Sequence, residues 1–186
     1  MKKYIWLSIF ILTALIGGAV FAVREVTYSQ YAGAETSVQT ALDTTVLQKV
    51  VDVEPYTGGM NGFFISGKDE LDRAVYIWTQ DGKVVAQAYA SQGLTEEKAV
   101  AAAEKPVWSA QLVRKELAEQ PLKSVVEVIH IAPGPILPKS TTEYRLAPSR
   151  FVWELYGKFD NGETGYTYLD FKSGEVLWQI DLPEPK

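Results

Sequence analysis

The chain has 186 residues, with 18 Lys and Arg against 23 Asp and Glu, one histidine and no cysteine. The formal charge of −5 argues against nucleic acid, anionic lipid or anionic wall polymers as partners, because phosphate binding depends on clustered basic side chains. The lack of cysteine excludes disulfides and lipid attachment through cysteine, and with a single histidine it leaves no zinc motif.

The first predicted element is a membrane-spanning helix over residues 4–23, YIWLSIFILTALIGGAVFAV. No charged side chain occurs in it, and a helix of this length matches the ~30 Å hydrocarbon core of a bilayer. Lys2 and Lys3 precede it, which predicts a cytoplasmic N-terminus and an extracytoplasmic remainder. The alternative is a signal peptide cut near Val20-Phe21-Ala22 or Ala32-Gly33-Ala34. The length of the segment favours an uncleaved single-pass anchor in the cell membrane.

A helix is predicted next, over residues 35–53, after a short link at residues 26–34. Val38, Leu42, Val46 and Val50 recur at every fourth position, which is typical of one apolar stripe on a helix. Pro55 is expected to end this helix, since the residue before a proline is pushed out of the helical region.

Three strands are predicted after the helix, over residues 62–66, 73–79 and 83–90, because these runs are rich in aromatic and branched side chains. Asp81 and Gly82 separate the last two runs. An Asp-Gly pair in this position favours a tight hairpin turn, since both turn residues need positive φ.

A second unit is predicted after Ser91-Gln92-Gly93. Thr95 is expected to cap a helix over residues 96–105, and Pro106 to interrupt it before a second piece over residues 107–119. Strands are predicted at residues 122–132, 151–159, 164–171 and 176–181, the middle pair joined by a hairpin at residues 160–163. Residues 133–149 are expected to form a long loop or to hold one edge strand at residues 141–146.

These elements predict an α+β chain with three parts: a cytoplasmic tip and transmembrane anchor at residues 1–25, and two helix-plus-sheet domains at residues 26–91 and 92–186. In each domain a helix packs on an antiparallel meander sheet. Residues 76–85 and 168–177 share the same order of an aromatic strand, a glycine-containing turn and a second strand, so a degenerate tandem repeat is predicted.

The sequence offers little for catalysis. The serine motifs G-x-S-x-G and S-x-x-K are absent, and His130 between two isoleucines indicates a structural or edge histidine. Glu154 and Asp170 would be the natural pair for glycoside cleavage, but their alternation with apolar neighbours favours a solvated sheet face. We therefore predict no enzyme activity, no catalytic or metal-binding residues, no cofactor and no small-molecule substrate.

The aromatic residues of the last strands suggest a binding surface instead. Trp153, Trp178 and Ile180 alternate with polar residues in the apolar register of their strands, so all three are expected to face the core. Tyr156, Tyr166 and Tyr168 fall on the opposite face, where rings on a half-open sheet can anchor a protein partner.

Two stretches resemble a known kind of module. Trp153-Glu154-Leu155-Tyr156 and residues 165–176, GYTYLDFKSGEV, look like the closing strands of a PepSY-type module, and residues 93–99, GLTEEKA, look like its helix entry. With one anchor, a preceding helix-and-strand unit and no cysteine, the whole chain resembles the TseB-like cell-wall elongation regulators of Gram-positive rod-shaped bacteria. The resemblance implies two small cystatin-like domains outside the membrane.

The resemblance also implies a function. The chain would be a non-enzymatic accessory protein that binds and supports a membrane-bound class B penicillin-binding transpeptidase in side-wall peptidoglycan synthesis and cell elongation. Two alternatives stay open: a PepSY-like inhibitor or chaperone of a secreted protease, and a wall hydrolase.

Overall fold

The computed structural model describes residues 33–57, 60–109, 121–136 and 150–182. The predicted anchor at residues 4–23, the edge strand at residues 141–146 and most of the helix at residues 107–119 lie outside these ranges. Within them, no helix has the length and apolar content needed to cross a membrane.

The first unit is a helix packed on a four-stranded antiparallel meander. Helix α1 covers residues 33–44 of the described chain, and the strands are β1 (Lys49–Tyr56), β2 (Gly62–Lys68), β3 (Ala74–Gln80) and β4 (Lys83–Tyr89), in that spatial order. Residues from the helix, from the loop after it and from the two central strands share one apolar core: Ala41, Leu47, Ile65, Val75 and Ile77. Asp81 and Gly82 both have positive φ, which confirms the predicted turn.

The predicted helix over residues 35–53 is wrong in its second half, because the chain leaves the helix after residue 44 and enters β1, Lys49–Tyr56. The Thr45 hydroxyl donates to the Ala41 carbonyl at 2.6 Å and accepts from the Leu47 amide at 3.1 Å. A threonine hydroxyl that both donates to and accepts from backbone groups gives those groups hydrogen bonds that would otherwise come from the next helical turn.

The composition of β1 explains why the strand prevails. Val50, Val51 and Val53 are β-branched and suit a strand better than a helix. Among the described strands, β1 pairs with β2 alone, and Pro55 is accommodated because an edge strand tolerates a missing amide. The four-residue spacing of apolar residues thus continued by coincidence across two different elements.

The second unit repeats this architecture. A short 3-10 turn at Ala90–Gln92 leads to helix α2 (Glu96–Glu104) and to strands β5 (Val125–Pro135), β6 (Phe151–Phe159), β7 (Thr164–Asp170) and β8 (Val176–Asp181), again an antiparallel meander. The Thr95 side chain accepts from the Lys98 amide, so the predicted cap is confirmed. The α+β class with two antiparallel sheets is confirmed, whereas the division at residues 91 and 92 stays a prediction.

Two segments of the second unit differ from the prediction. Residues 107–109 are extended and not helical, because the amide of Val176 donates to the Val107 carbonyl and the amide of Ser109 donates to the Val176 carbonyl. Strand β5 also runs on to Pro135, where a loop was expected, because its last residues pair with the start of β6.

The orientation predicted for Trp178 and Ile180 is wrong. Leu169 lies opposite Val176 and Tyr168 lies opposite Trp178, so Leu177 is an extra residue in β8. Such a bulge moves every later side chain to the other face of the sheet. Trp178 is buried as predicted, but against Tyr168 and on the face opposite to Trp153.

The two sheets repeat each other in register as well as in order. Both place an extra residue in the first strand at the same point, Val51 and Ile129, and another in the last strand, Val85 and Leu177. The corresponding pairs are Phe64–Trp78 with Glu154–Tyr168, Ser66–Tyr76 with Tyr156–Tyr166, and Gly67–Val75 with Gly157–Gly165. Trp78, and not Tyr76, is therefore the counterpart of Tyr168, since the turn before β8 is longer than the turn before β4.

The units contact each other through the face of the first sheet that lies away from α1. The Trp78 side chain is completely buried there, its Nε1 donates to the Pro133 carbonyl at 3.1 Å, and its ring stacks on Phe151 with centroids 5.4 Å apart. A Cβ at Gly134 would overlap the Tyr56 hydroxyl. Glycine at this position leaves room for the Tyr56 side chain where β5 approaches the end of β1.

Candidate functional site

The three tyrosines predicted as a binding face lie side by side in the structure. Ring centroids are 5.0 Å apart between Tyr156 and Tyr166, 6.2 Å between Tyr166 and Tyr168, and 4.3 Å between Tyr168 and Trp178. All three tyrosines are half-buried. We call this surface, formed by Tyr156, Tyr166 and Tyr168 on the side of the second sheet away from α2, the tyrosine face. Its role in binding stays a prediction.

One carboxylate lies within the tyrosine face. Glu154 is paired with Tyr168 across β6 and β7, and the Tyr168 hydroxyl donates to its carboxylate. Burial raises the pKa of Glu154, while the Tyr168 hydrogen bond and the nearby His130 act in the opposite direction. The net direction is upward, so the surroundings compensate the ionised form only in part.

A small cleft of about 90 Å³ lies beside the tyrosine face, where the end of β1 approaches the second sheet. The first unit contributes Glu54, Pro55, Tyr56, Thr57 and Phe64 to its lining, and the second unit contributes His130, Ala132, Glu154, Tyr156 and Tyr166. The site is therefore made by both units together.

The cleft carries negative charge without a strong cation. Burial raises the pKa of Glu54, and repulsion from Asp52 raises it further. None of the described residues that line the cleft is lysine or arginine. His130 lies opposite Tyr156 on the exposed part of β5.

The other residues considered for chemistry have structural positions. Asp170 is only 1% exposed, and its Oδ1 accepts from the amides of Lys172 and Ser173, which fixes the turn before β8. His130 lies on an edge strand, as predicted. In the part of the chain that the structure describes, no group of three His, Cys, Asp or Glu side chains is arranged to hold a metal ion.

A larger cavity of about 710 Å³ lies between α1, the β1–β2 connection and the β3–β4 turn. Its lining is mostly small or hydroxyl-bearing, and Asp81 is the single carboxylate among the described lining residues. Gly33 and Thr57 in this lining directly adjoin undescribed stretches of sequence. Among the described residues of this lining, no acid and base lie together.

The sequence revealed the tyrosines but not the cleft. Glu54 directly follows the predicted helix over residues 35–53, although Pro55 after it favours an extended conformation and is a signal for a strand. Alternation within β6 predicts a solvated face for Glu154, because it carries no information about the first unit that approaches it. For both residues the sequence offers only the pattern of neighbouring residues. The contact between the units joins residues far apart in the sequence, so this pattern could not predict it.

Comparisons with known proteins point in one direction. No protein-family model matches the chain. The chain is 24% identical over 179 residues to a protein of Bacillus subtilis (strain 168) named "Probable cell wall elongation regulator TseB", which covers 95% of this chain and 90% of that protein. The solved structure of the YpmB protein from Bacillus subtilis superposes with a TM-score of 0.55 and 21% identity, covering 81% of this chain and 98% of that one. This likeness supports the fold.

Proposed function

Because the resemblance to the TseB-like cell-wall elongation regulators is confirmed along 95% of the chain, we propose that the protein regulates cell wall elongation. The near full-length similarity to a protein named as such a regulator carries this proposal. In it, the protein is not an enzyme. It binds and supports a membrane-bound class B penicillin-binding transpeptidase during side-wall peptidoglycan synthesis.

The proposal assigns a place to each part of the chain. Residues 1–25 form the cytoplasmic tip and the anchor, which crosses the cell membrane at residues 4–23. Residues 26–91 and 92–186 form two cystatin-like or PepSY-like domains outside the membrane. Holding a regulator beside the bilayer keeps it near a membrane-bound partner, since tethering raises the effective concentration of one protein at the other.

The tyrosine face is the surface that we propose for the partner. Tyrosine and tryptophan are enriched among the residues that dominate protein–protein binding, because a large ring buries much area at little entropic cost. The adjacent rings of Tyr156, Tyr166 and Tyr168 form such a patch, and Ile180, which is paired with Tyr166, extends it with an exposed apolar side chain.

Photo-crosslinking in growing cells tests the proposal. A photoreactive amino acid at Ile180, which is 41% exposed beside the tyrosine face, is expected to give a covalent adduct with a penicillin-binding transpeptidase, identified by mass spectrometry. The same amino acid at Leu71, in the exposed β2–β3 loop of the first unit, is the control and is expected to give little of this adduct. Adducts free of any wall synthase would refute the proposal, and capture of a secreted protease instead would favour an inhibitor or chaperone.

A further inference from the structure

Because the strand pairing repeats between the two sheets, the first sheet has a surface that corresponds to the tyrosine face. Phe64, Tyr76 and Trp78 occupy the positions that Glu154, Tyr166 and Tyr168 occupy in the second sheet. The Phe64 and Trp78 rings lie 5.5 Å apart, and Trp78 stacks in turn on Phe151 of the second unit. In the first unit this surface is thus a docking surface.

The second sheet is less buried than the first at one of these positions. Trp78 is completely buried, whereas its counterpart Tyr168 is half-buried; Tyr76 and its counterpart Tyr166 are both half-buried. Two positions change in chemical character: the apolar ring of Phe64 is replaced by the carboxylate of Glu154, and Ser66 is replaced by the ring of Tyr156. A partner that matches this surface needs an apolar area together with a positive group.

The cleft supplies the negative side of such a match. Glu154 and Glu54 approach it from different units, beside the rings of Tyr156, Tyr166 and Phe64. Glu154 is half-buried and Glu54 is exposed, and a half-buried carboxylate is costly unless a counter-charge or hydrogen bonds stabilise it. An ammonium or guanidinium group gains both from charge-assisted hydrogen bonds to carboxylates and from contact with aromatic faces.

The size of the cleft limits what can enter. The cleft volume of about 90 Å³ lies well below the roughly 300–1,000 Å³ of sites that take drug-sized molecules, so the cleft is too small to enclose a muropeptide. The charged end of one long side chain fits.

We propose that the tyrosine face recognises a protein partner by a lysine or arginine side chain, which enters the cleft beside Glu154 and Glu54 while the rings contact the apolar surroundings of that side chain. This inference rests on the proposed function, because it takes the occupant to be a side chain of the protein partner. The chain's net charge of −5 favours the approach of a basic patch.

Charge removal in the crosslinking assay tests the inference. The double variant Glu54→Gln/Glu154→Gln, with the photoreactive amino acid at position 180, is expected to lose at least about tenfold of the partner adduct, because two charged contacts to the cation are lost. Glu70→Gln removes one exposed carboxylate from the β2–β3 loop and is expected to leave the adduct unchanged. An equal yield from the double variant and the control would overturn the inference while leaving the proposed function intact.

A second measurement is independent of the natural partner. Full-length protein in lipid nanodiscs is titrated with Nα-acetyl-lysine amide and with Nα-acetyl-norleucine amide, which has a similar length but no charge, and the tyrosine ring resonances are followed by NMR. The lysine compound is expected to shift Tyr156 and Tyr166 but not Tyr89, and the norleucine compound to shift none of them. Equal shifts with both compounds, or none with the lysine compound, would overturn cation recognition even if the transpeptidase adduct forms.

Discussion

Thr79 and Thr167 are both completely buried, but their hydroxyl groups have different surroundings. The Thr167 hydroxyl accepts from Gln179 Nε2 at 3.0 Å. For Thr79, the described part of the chain places no hydrogen-bond partner within reach of Oγ1. A buried hydroxyl without a partner is destabilising, because it has lost its bonds to water.

We expect Thr79→Val to raise the free energy of unfolding by about 1 kcal/mol, since valine has nearly the same shape and removes the unpaired hydroxyl. Thr167→Val is the matched control and is expected to lower the free energy of unfolding by about 1 kcal/mol, because it removes an acceptor of the Gln179 amide. Urea denaturation measures both. Destabilisation by Thr79→Val equal to that by Thr167→Val would contradict the expectation.

Glu154 gives a prediction about pH. Its pKa is raised in the folded protein, so its ionised form destabilises the fold at pH values above the folded pKa, and this penalty is absent below the ordinary glutamate pKa of about 4.3. We expect Glu154→Gln to be at least as stable as the natural protein at pH 7, with a difference that shrinks as the pH falls through the range between the raised and the ordinary pKa. Thermal denaturation at a series of pH values measures this difference.

Glu163→Gln is the control for that series. The Lys123 ammonium, followed by the Asn161 amide, lowers the pKa of Glu163. The ionised form of Glu163 therefore stabilises the fold, and this contribution is lost as the pH falls through the folded pKa. The control is expected to be less stable than the natural protein at pH 7. A Glu154→Gln variant with the same pH dependence as this control would contradict the assignment of a raised pKa.

Two glycines show how the elements are matched. Gly67 in β2 and Gly157 in β6 hold the same position in their sheets, each opposite the residue just before a bulge in the edge strand. A Cβ at Gly67 would overlap the Lys49 carbonyl, and a Cβ at Gly157 would overlap the Glu127 carbonyl. At both positions the edge strand therefore lies too close for a larger residue.

We expect Gly157→Ala to destabilise the protein by about 1–3 kcal/mol, the usual cost of forcing extra atoms into a tight site. Ala74→Val, at the exposed start of β3, also adds carbon to a strand but meets no such contact, and it is expected to change stability by about 0.5 kcal/mol or less. Thermal denaturation of both variants measures the difference. A loss from Gly157→Ala as small as that of the control would show that the edge strand moves away freely.

Local patterns predicted most elements of the second unit and failed where two elements share a pattern or where a strand gains a residue. The limits predicted for residues 151–159 and 176–181 match β6 and β8. The helix over residues 35–53 failed because apolar spacing of four residues runs unbroken from α1 into β1. The face predicted for Trp178 was wrong because a bulge at Leu177 cannot be recognised from the alternation of apolar and polar residues. The tyrosine face was predictable because Tyr156, Tyr166 and Tyr168 all precede that bulge.

At the scale of the whole molecule, two buried tryptophans distinguish the contact between the units from the core of one unit. Trp78 donates to the Pro133 carbonyl across the contact. Trp153 is buried in the core of the second unit, and within the described chain its Nε1 has no hydrogen-bond partner. The Trp78 indole therefore contributes a hydrogen bond to the contact between the units, whereas the Trp153 indole contributes packing alone.

We expect Trp78→Phe to cost about 1–2 kcal/mol more than Trp153→Phe, because both changes shrink a ring but only the first leaves the Pro133 carbonyl unsatisfied. Urea denaturation of the two variants measures the difference. Equal losses would show that the Trp78 hydrogen bond adds nothing to the contact between the units.

The stacking of Trp78 on Phe151 also bears on affinity. Two halves of one chain meet at an effective concentration of the order of millimolar, so a contact between them needs little strength to stay formed. A separate protein that meets the second sheet has no such help and must gain its affinity from the surface itself. The surface is uncharged in the tethered copy and carries the Glu154 carboxylate in the second sheet, which fits this difference, since charge provides speed of encounter and discrimination among partners.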